Sequence, residues 1–240
     1  MMKKYTKWKE SQHPVIACVL DWVEILVVAA LIALFMNNVI IANSQVPTGS
    51  METTIGVGDR VIGSRLSYTF GSPERGDVAI FKFGWKCNRC HTAMGEAPAP
   101  EVCPLCHQEV TRPETVYYVK RVIGIPGDKI EIRAGGSCKQ SDIVSEAASS
   151  VQLSGEEASR PLVTADVFVN GEKLSENYLR EPMLYTGDMT FEVPDGCYFL
   201  MGDNRNNSLD ARYWNNSYIA EKKMVAKVLF RYWPGIKLIK

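Results

Sequence analysis

Histidine is scarce in this chain of 240 residues, with only three, at positions 13, 91 and 107. His13 precedes the first apolar run and the other two lie among closely spaced cysteines, which argues against a Ser/His/Asp triad. An excess of charge of either sign is also missing. The 27 Lys+Arg balance 27 Asp+Glu, so no broad electrostatic field marks nucleic acid as a partner. Helical periodicity is sparse beyond residue 42, and no internal repeat occurs apart from a doubled CxxC. With 46% hydrophobic and 22% charged residues, disorder of the whole is excluded, and one sizeable core with a small accessory module fits the length.

What charge there is sits unevenly. Lys3, Lys4, Lys7 and Lys9 crowd the first ten residues, and an apolar run follows from Ile25 to Met36, resuming at Val39 to Ala42. Counted from Ile25 to Ala42 this is 18 residues, about 27 Å as a helix at ~1.5 Å per residue, enough to span a bilayer. The expectation is a basic cytoplasmic N-terminus over 1–20, a single transmembrane anchor over 21–42 with Asp21 and Glu24 at one interface, and an extracytoplasmic body over 43–240. A core helix and a cleaved signal peptide, with "ANS" at 42–44 as the small-x-small site, are the competing readings.

Beyond residue 42 the chain reads as short β segments between glycine and proline turns: 59–66, 76–83, 116–125, 128–133, 166–174, 190–193, 197–202 and 227–233. The fold class expected is mainly β. Two stretches interrupt it. Residues 134–165 are rich in Ser, Ala, Gly and Glu and read as a mobile loop insert, while residues 84–115 carry four cysteines.

Cys87 and Cys90 form one CxxC, Cys103 and Cys106 a second, with twelve residues between the pairs. Each pair can present two thiolates from one tight turn, and two such knuckles facing each other supply the tetrahedral sulfur set of a structural zinc site. Pro104 preshapes the second turn, and His91 and His107 are available as substitute ligands. Such a closed site has no open coordination position, so no chemistry is assigned to it. The alternatives are two disulfides, favoured by an oxidising exterior, and a redox pair, disfavoured by the lack of a βαβ setting. Cys18, Cys138 and Cys197 have no evident partner in the sequence.

Just past the apolar run stands "QVPTGSMETTI" (45–55), where no secondary structure requires Ser50. A serine hydroxyl needs a base to become a nucleophile, and with histidine so scarce the candidate is lysine. "YYVKRVIGIPGD" places Lys120 among Tyr118, Val119, Val122 and Ile123, neighbours able to desolvate an amine. An outward-facing strand lysine and an ordinary turn serine are the plain alternatives, and the pair is not decided by these two residues alone.

Together with their surroundings they match a family. "VPTGSMETTI", "RGDVAIFKF", "YYVKRVIGIPGDKIEI" and "MGDNRNNSLDARYW" resemble, in this order, the conserved boxes of bacterial type I signal peptidases, the membrane-anchored serine proteases that cut leader peptides from exported proteins. "VFVNGEKLSENYL" is similar to a strand these enzymes carry between the last two boxes, and the resemblance runs from about residue 21 to residue 233 outside the two inserts. It implies an antiparallel β catalytic body on an N-terminal transmembrane helix, here with an inserted zinc-knuckle loop. It implies Ser50 as nucleophile, Lys120 as general base, and Thr48 with the Ser50 N–H as oxyanion hole. Ser208 would orient the lysine, and Asp203, Arg121, Asp210 and Arg212 would brace the site. Val46, Met51, Ile55, Val61, Ile80, Tyr118 and Val119 match the walls of pockets that select small side chains at the −1 and −3 substrate positions, although a packed β core would give the same apolar list. The substrate would lie extended against a strand edge.

Lysine rather than histidine at the base position implies the prokaryotic type. Thr53, Thr48 and Ala211 depart from the family's commoner residues, and "YWNNSYI" lacks its usual glycine; none of these touches the dyad. The implied partners are preproteins with signal peptides, the lipid bilayer and nearby export machinery, with no catalytic cofactor. A membrane-tethered, catalytically inactive zinc-ribbon module would share the anchor and the cysteines but would have no reason to keep both dyad members. A self-cleaving Ser/Lys repressor would need a DNA-binding helix-turn-helix where this chain has its apolar run.

Overall fold

The computed structural model describes residues 13–90, 93–94, 99–144 and 161–239. The chain divides into two units, residues 1–41 and residues 42–240.

The first unit is helical. Helix α1 (Pro14–Phe35) starts at a proline, whose missing N–H costs nothing in the first turn, and His13 caps it by accepting from the Val15 N–H. The helix continues as a π turn over Met36–Ile40. From Pro14 to Ile40 it is long and apolar enough to cross a membrane, with a mean hydropathy of 2.5 over an 18-residue window, and most of its large apolar side chains are exposed. Asn38 donates to the Leu34 carbonyl, so the amide is satisfied within the helix, as hydrocarbon surroundings would require. The helix does not coincide with the anchor expected over 21–42. The proline start lies seven residues earlier, which puts Asp21 and Glu24 inside the helix, and the backbone turns extended at Ile41. The lysine-rich segment of residues 1–12 lies outside the described residues.

The second unit is an antiparallel β body. Its strands are β1 (Ile41–Gln45), β2 (Arg60–Ser64), β3 (Val78–Lys86), β4 (Ala93–Met94), β5 (Glu114–Gly124), β6 (Lys129–Cys138), β7 (Leu162–Val169), β8 (Glu172–Lys173), β9 (Met189–Glu192), β10 (Cys197–Met201), β11 (Ile219–Ala220), β12 (Met224–Trp233) and β13 (Lys237–Leu238). One sheet has the order β1-β2-β12-β3-β5-β10-β11, with β13 on β12 and β4 on β3; the other runs β8-β7-β6-β9. Asn170 and Gly171, both at positive φ, make the two-residue turn that joins β7 to β8, so the segment 166–174 is a hairpin rather than one strand.

Side-chain alternation on β3 divides the core. Ala79 and Phe81 enter the larger cluster with Val122, Ile130, Val167 and Phe199, drawn from both sheets, whereas Val78 and Ile80 enter a smaller one with Val46, Met51, Ile55, Val61 and Val228. With a core on each face, the C-terminal half of β5 is buried without the usual in-out pattern, from Lys120 through Gly124. A lysine inside that run has little solvent to reach.

The expected loop over 134–165 is overturned at its ends. β6 continues through Cys138, pairing Ala134 with Ala165 and Cys138 with Leu162. The glycines that look loop-like serve the ladder: a Cβ at Gly135 would stand 2.5 Å from the Asp166 carboxyl, and the Gly136 N–H donates to Thr164 Oγ1. Residues 145–160 lie outside the described residues. The cysteine insert is likewise shorter than 84–115, because β3 and β5 stay paired as far as Lys86 opposite Glu114.

Candidate active site

Ser50 lies in a 3-10 turn, Gly49–Met51, at the rim of the smaller core cluster. Met51 and Ile55 are fully buried beneath it, and the Ile55 N–H donates to the Met51 carbonyl, closing the turn. Asn204, itself fully buried, grips the same turn twice: its backbone N–H donates to the Ser50 carbonyl at 3.0 Å and its Nδ2 to the Gly49 carbonyl at 3.0 Å. Two carbonyls of the turn are thereby held toward Asn204. Thr48 Oγ1 stands 3.4 Å from Ser50 Oγ.

Lys120 sits on β5 opposite Ala79, only 4% exposed, and donates from Nζ to Ser208 Oγ at 3.0 Å. Burial lowers its pKa from 10.5 to about 8, with Arg212 acting in the same direction and Asp210 and Asp203 against it. Ser208 directly follows the 3-10 turn Arg205–Asn207, on the loop that leaves β10.

The charged residues around this pair are matched. Arg121 makes a forked pair with Asp203, Nε to Oδ1 at 2.8 Å and Nη2 to Oδ2 at 2.7 Å, both residues being almost fully buried. Thr54 Oγ1 adds a bond of 2.5 Å to Asp203 Oδ2. Arg212 pairs with Asp210 and reaches the Arg205 carbonyl. Burial opposes ionisation of Asp210, but the bonds from Arg212 and from the Gly202 N–H outweigh it and hold the carboxyl below its usual range.

An open cleft of about 210 Å³ is lined by residues 44–51, Tyr117, Tyr118, Val119, Lys120, Asn207 and Leu209. Ser50 and Lys120 thus face one space. Tyr118 stacks on Phe83 with ring centroids 4.4 Å apart, which fixes one wall. The seven expected pocket residues separate here. Val46, Met51, Tyr118 and Val119 line the cleft, whereas Ile55, Val61 and Ile80 belong to the cluster beneath it and support its floor.

The motif resemblance assigns no role to Gly202 or Asn204, although both lie in "MGDNRNNS". A Cβ at Gly202 would stand 2.3 Å from Ser208 Oγ and 2.5 Å from the Ser50 carbonyl oxygen. A glycine directly after an apolar strand was the available signal for such a close approach.

Away from the cleft, the sulfur atoms of Cys87, Cys90, Cys103 and Cys106 all lie within 4.8 Å of one another. Cys87 to Cys106 and Cys90 to Cys103 are each 3.8 Å, too long for the S–S bond of about 2.05 Å. A tetrahedron of thiolates about 2.3 Å from zinc has edges of about 3.8 Å, so the set fits that ion. Trp85 and Val110 pack beside it, and the Arg89 N–H points at Cys87 Sγ as knuckle turns do. His91 lies outside the described residues, and His107, at positive φ, turns the chain after Cys106.

Comparison with known proteins finds relatives over most of this chain. The profile of the family described as "Signal peptidase, peptidase S26" matches residues 19–233. A signal peptidase I of Leptolyngbya laminosa is 24% identical over 228 residues, which are 95% of this chain and 86% of that protein. A signal peptidase I of Pseudomonas aeruginosa is 27% identical, covering 86% of this chain and 70% of that protein. Among solved structures, a signal peptidase I from Enterococcus faecalis V583 is 22% identical over 65% of this chain and 95% of its own, with a TM-score of 0.35.

Proposed function

The chain belongs to the signal peptidase family, peptidase S26, and from that premise we propose that Ser50 and Lys120 are the nucleophile and general base with which it removes signal peptides from preproteins. The observation that carries the assignment is a buried lysine of lowered pKa, bonded to Ser208 and lining the same cleft as Ser50. Lys120 in its neutral form takes the Ser50 Oγ proton as Oγ attacks the carbonyl carbon that ends the leader. The oxyanion accepts from the Ser50 N–H and the Thr48 hydroxyl. Collapse breaks the C–N bond, the new amine takes the proton from Lys120, and the leader remains as an ester on Ser50. Lys120 then deprotonates a water; its attack breaks the ester and returns the proton to Ser50. Asp203 with Arg121, and Asp210 with Arg212, hold the groups in place without reacting. Val46, Met51, Tyr118 and Val119 form the shallow apolar surface against which small −1 and −3 side chains rest, the substrate strand lying along residues 44–49.

Helix α1 anchors the enzyme in the cell membrane, with the lysine-rich N-terminus cytoplasmic and the β body on the outer face, where the cleavage point of a translocated leader emerges. Only the neutral amine can accept the proton, so activity is absent well below pH 8 and rises through it. Purified full-length protein in detergent micelles should cleave a leader-bearing preprotein with a rising limb near pH 8. A limb near pH 10, the value of a solvated lysine, would overturn the account of its activation.

The four cysteines hold one structural zinc ion. Metal analysis should find one zinc per chain, and chelation should loosen the insert while leaving hydrolysis of a short peptide nearly unchanged. Two disulfides and no zinc would refute this.

A further inference from the structure

The segment 175–183, between β8 and β9, carries no chemistry in the sequence, yet it touches each part of the site. The Tyr178 carbonyl accepts from Thr53 Oγ1 at 3.2 Å, and Arg180 pairs with Glu52, so the chain just after the nucleophile is held from this side. Glu176 receives Arg205 in a forked, buried pair, and Glu181 accepts from Asn206 Nδ2 at 2.7 Å, so the turn that presents Ser208 is held as well. At the centre, the Tyr178 ring lies under the Arg121 guanidinium, 4.0 Å from its centroid.

We propose that Tyr178 is a positioning residue for signal-peptide cleavage: its ring fixes the plane in which Arg121 grips Asp203, and so governs the charge that reaches Lys120. The proposal rests on the Ser50/Lys120 reading above. Arg121 has acceptors on two sides, Asp203 in the guanidinium plane and the Gly76 carbonyl at 2.7 Å, but its face is covered by the ring of Tyr178. A buried cation is drawn to an aromatic face, and a planar guanidinium stacked on a ring is held in one orientation. The Tyr178 hydroxyl is itself directed away, donating to Glu176 Oε1 at 2.7 Å. It is therefore the ring and not the hydroxyl that acts on Arg121.

The charged groups that face Lys120 are Asp210, Arg212 and Asp203; around the ring they are Glu176, Arg205 and Arg121. Of these, Asp210 and, to a smaller extent, Asp203 favour the ammonium form of Lys120. While Arg121 lies flat on the ring its fork neutralises Asp203. Once the ring is gone the guanidinium can rotate, the carboxylate is less well compensated, and the lysine holds its proton to a higher pH.

The test compares full-length Tyr178→Met, which fills the volume without a π face, with Tyr178→Phe, which keeps the ring and loses only the hydroxyl. Tyr178→Met should move the rising limb of the pH–rate profile upward by roughly half a unit to one unit and lower kcat at pH 7 about threefold to tenfold, with KM little changed. Tyr178→Phe should keep both the wild-type limb and kcat. A folded Tyr178→Met whose limb coincides with the wild type, or a Tyr178→Phe that shifts as far as Tyr178→Met, overturns the proposal, because a merely structural tyrosine would lower thermal stability and leave the limb in place. Should Tyr178→Met not fold, Arg121→Lys provides the second measurement. It keeps the charge and loses the stacked fork, so the limb must again move up, and an unmoved limb overturns the proposal. Failure of the dyad reading is distinct, since it would appear as activity retained by Lys120→Ala.

Discussion

Ser50→Ala and Lys120→Ala should each abolish cleavage of a leader-bearing preprotein, and the double variant should be no slower than either single one. The reason is that serine and lysine act as one unit: without the base the hydroxyl is not a nucleophile, and without the hydroxyl the base has nothing to activate, so the losses do not add. Turnover assays with all three variants decide it, and more than a few per cent of activity left in Lys120→Ala would point to another base.

The same lysine carries an opposite effect on stability. Its folded pKa, about 8, lies below the ordinary 10.5, so the fold penalises the charged form; the penalty is full below pH 8 and disappears as pH rises toward 10.5. Lys120→Met, which buries a chain of similar length without the charge, should accordingly be more stable than the wild type at pH 7, by on the order of 1–3 kcal/mol. Denaturant unfolding at pH 7 measures it. The gain should shrink in the same measurement at pH 10.

Gly202→Ala should lower kcat by at least about a hundredfold while leaving the protein folded. Its Cβ would stand 2.5 Å from the Ser50 carbonyl, 2.3 Å from Ser208 Oγ and 2.7 Å from Ser208 Cβ. Neither backbone nor a serine already bonded to Lys120 can give way cheaply, so the methyl pushes nucleophile and lysine apart from the inside. Gly124→Ala is the matched control. There the Cβ meets Val193 Cγ2 at 2.9 Å and the Ile130 side chain at 3.0–3.1 Å, all in the larger core, so it should cost stability and spare kcat. Equal loss of kcat in the two variants would mean that the effect at Gly202 is general loosening.

Much of this was legible in the sequence. The strands announced themselves by β-branched and aromatic runs between turn residues, and the Ser50 and Lys120 segments by motifs in which nearly every residue bears on the site. What was not legible is what depends on contact between distant segments. Asn204 grips Gly49 across 155 positions of sequence, and nothing local to either distinguishes that amide from an ordinary turn asparagine. Tyr178 reads as one more strand-flanking aromatic until its ring is seen against Arg121. Ile55, Val61 and Ile80 share the apolar character of the cleft wall, and only the fold separates floor from foundation. Residues 134–138 misled for a related reason. Their glycines signal flexibility in isolation and close packing in the sheet.

Lys86 on β3 and Glu114 on β5 stand directly opposite one another and form the last rung of the ladder before the cysteines begin. The chain therefore leaves the hairpin and re-enters it at neighbouring points, which makes residues 87–113 a graft with a narrow base. An Asn-Gly connection of two residues could bridge the same gap with a favoured hairpin turn. The excised protein would keep the complete register from Lys86 to Val78 against Glu114 to Arg121, base included. Conversely, a hairpin that received the cysteine module would have to supply the cross-strand pair at its base, the strand edge at Trp85 and Lys86 on which β4 pairs, and the Trp85 ring that packs beside the cysteines.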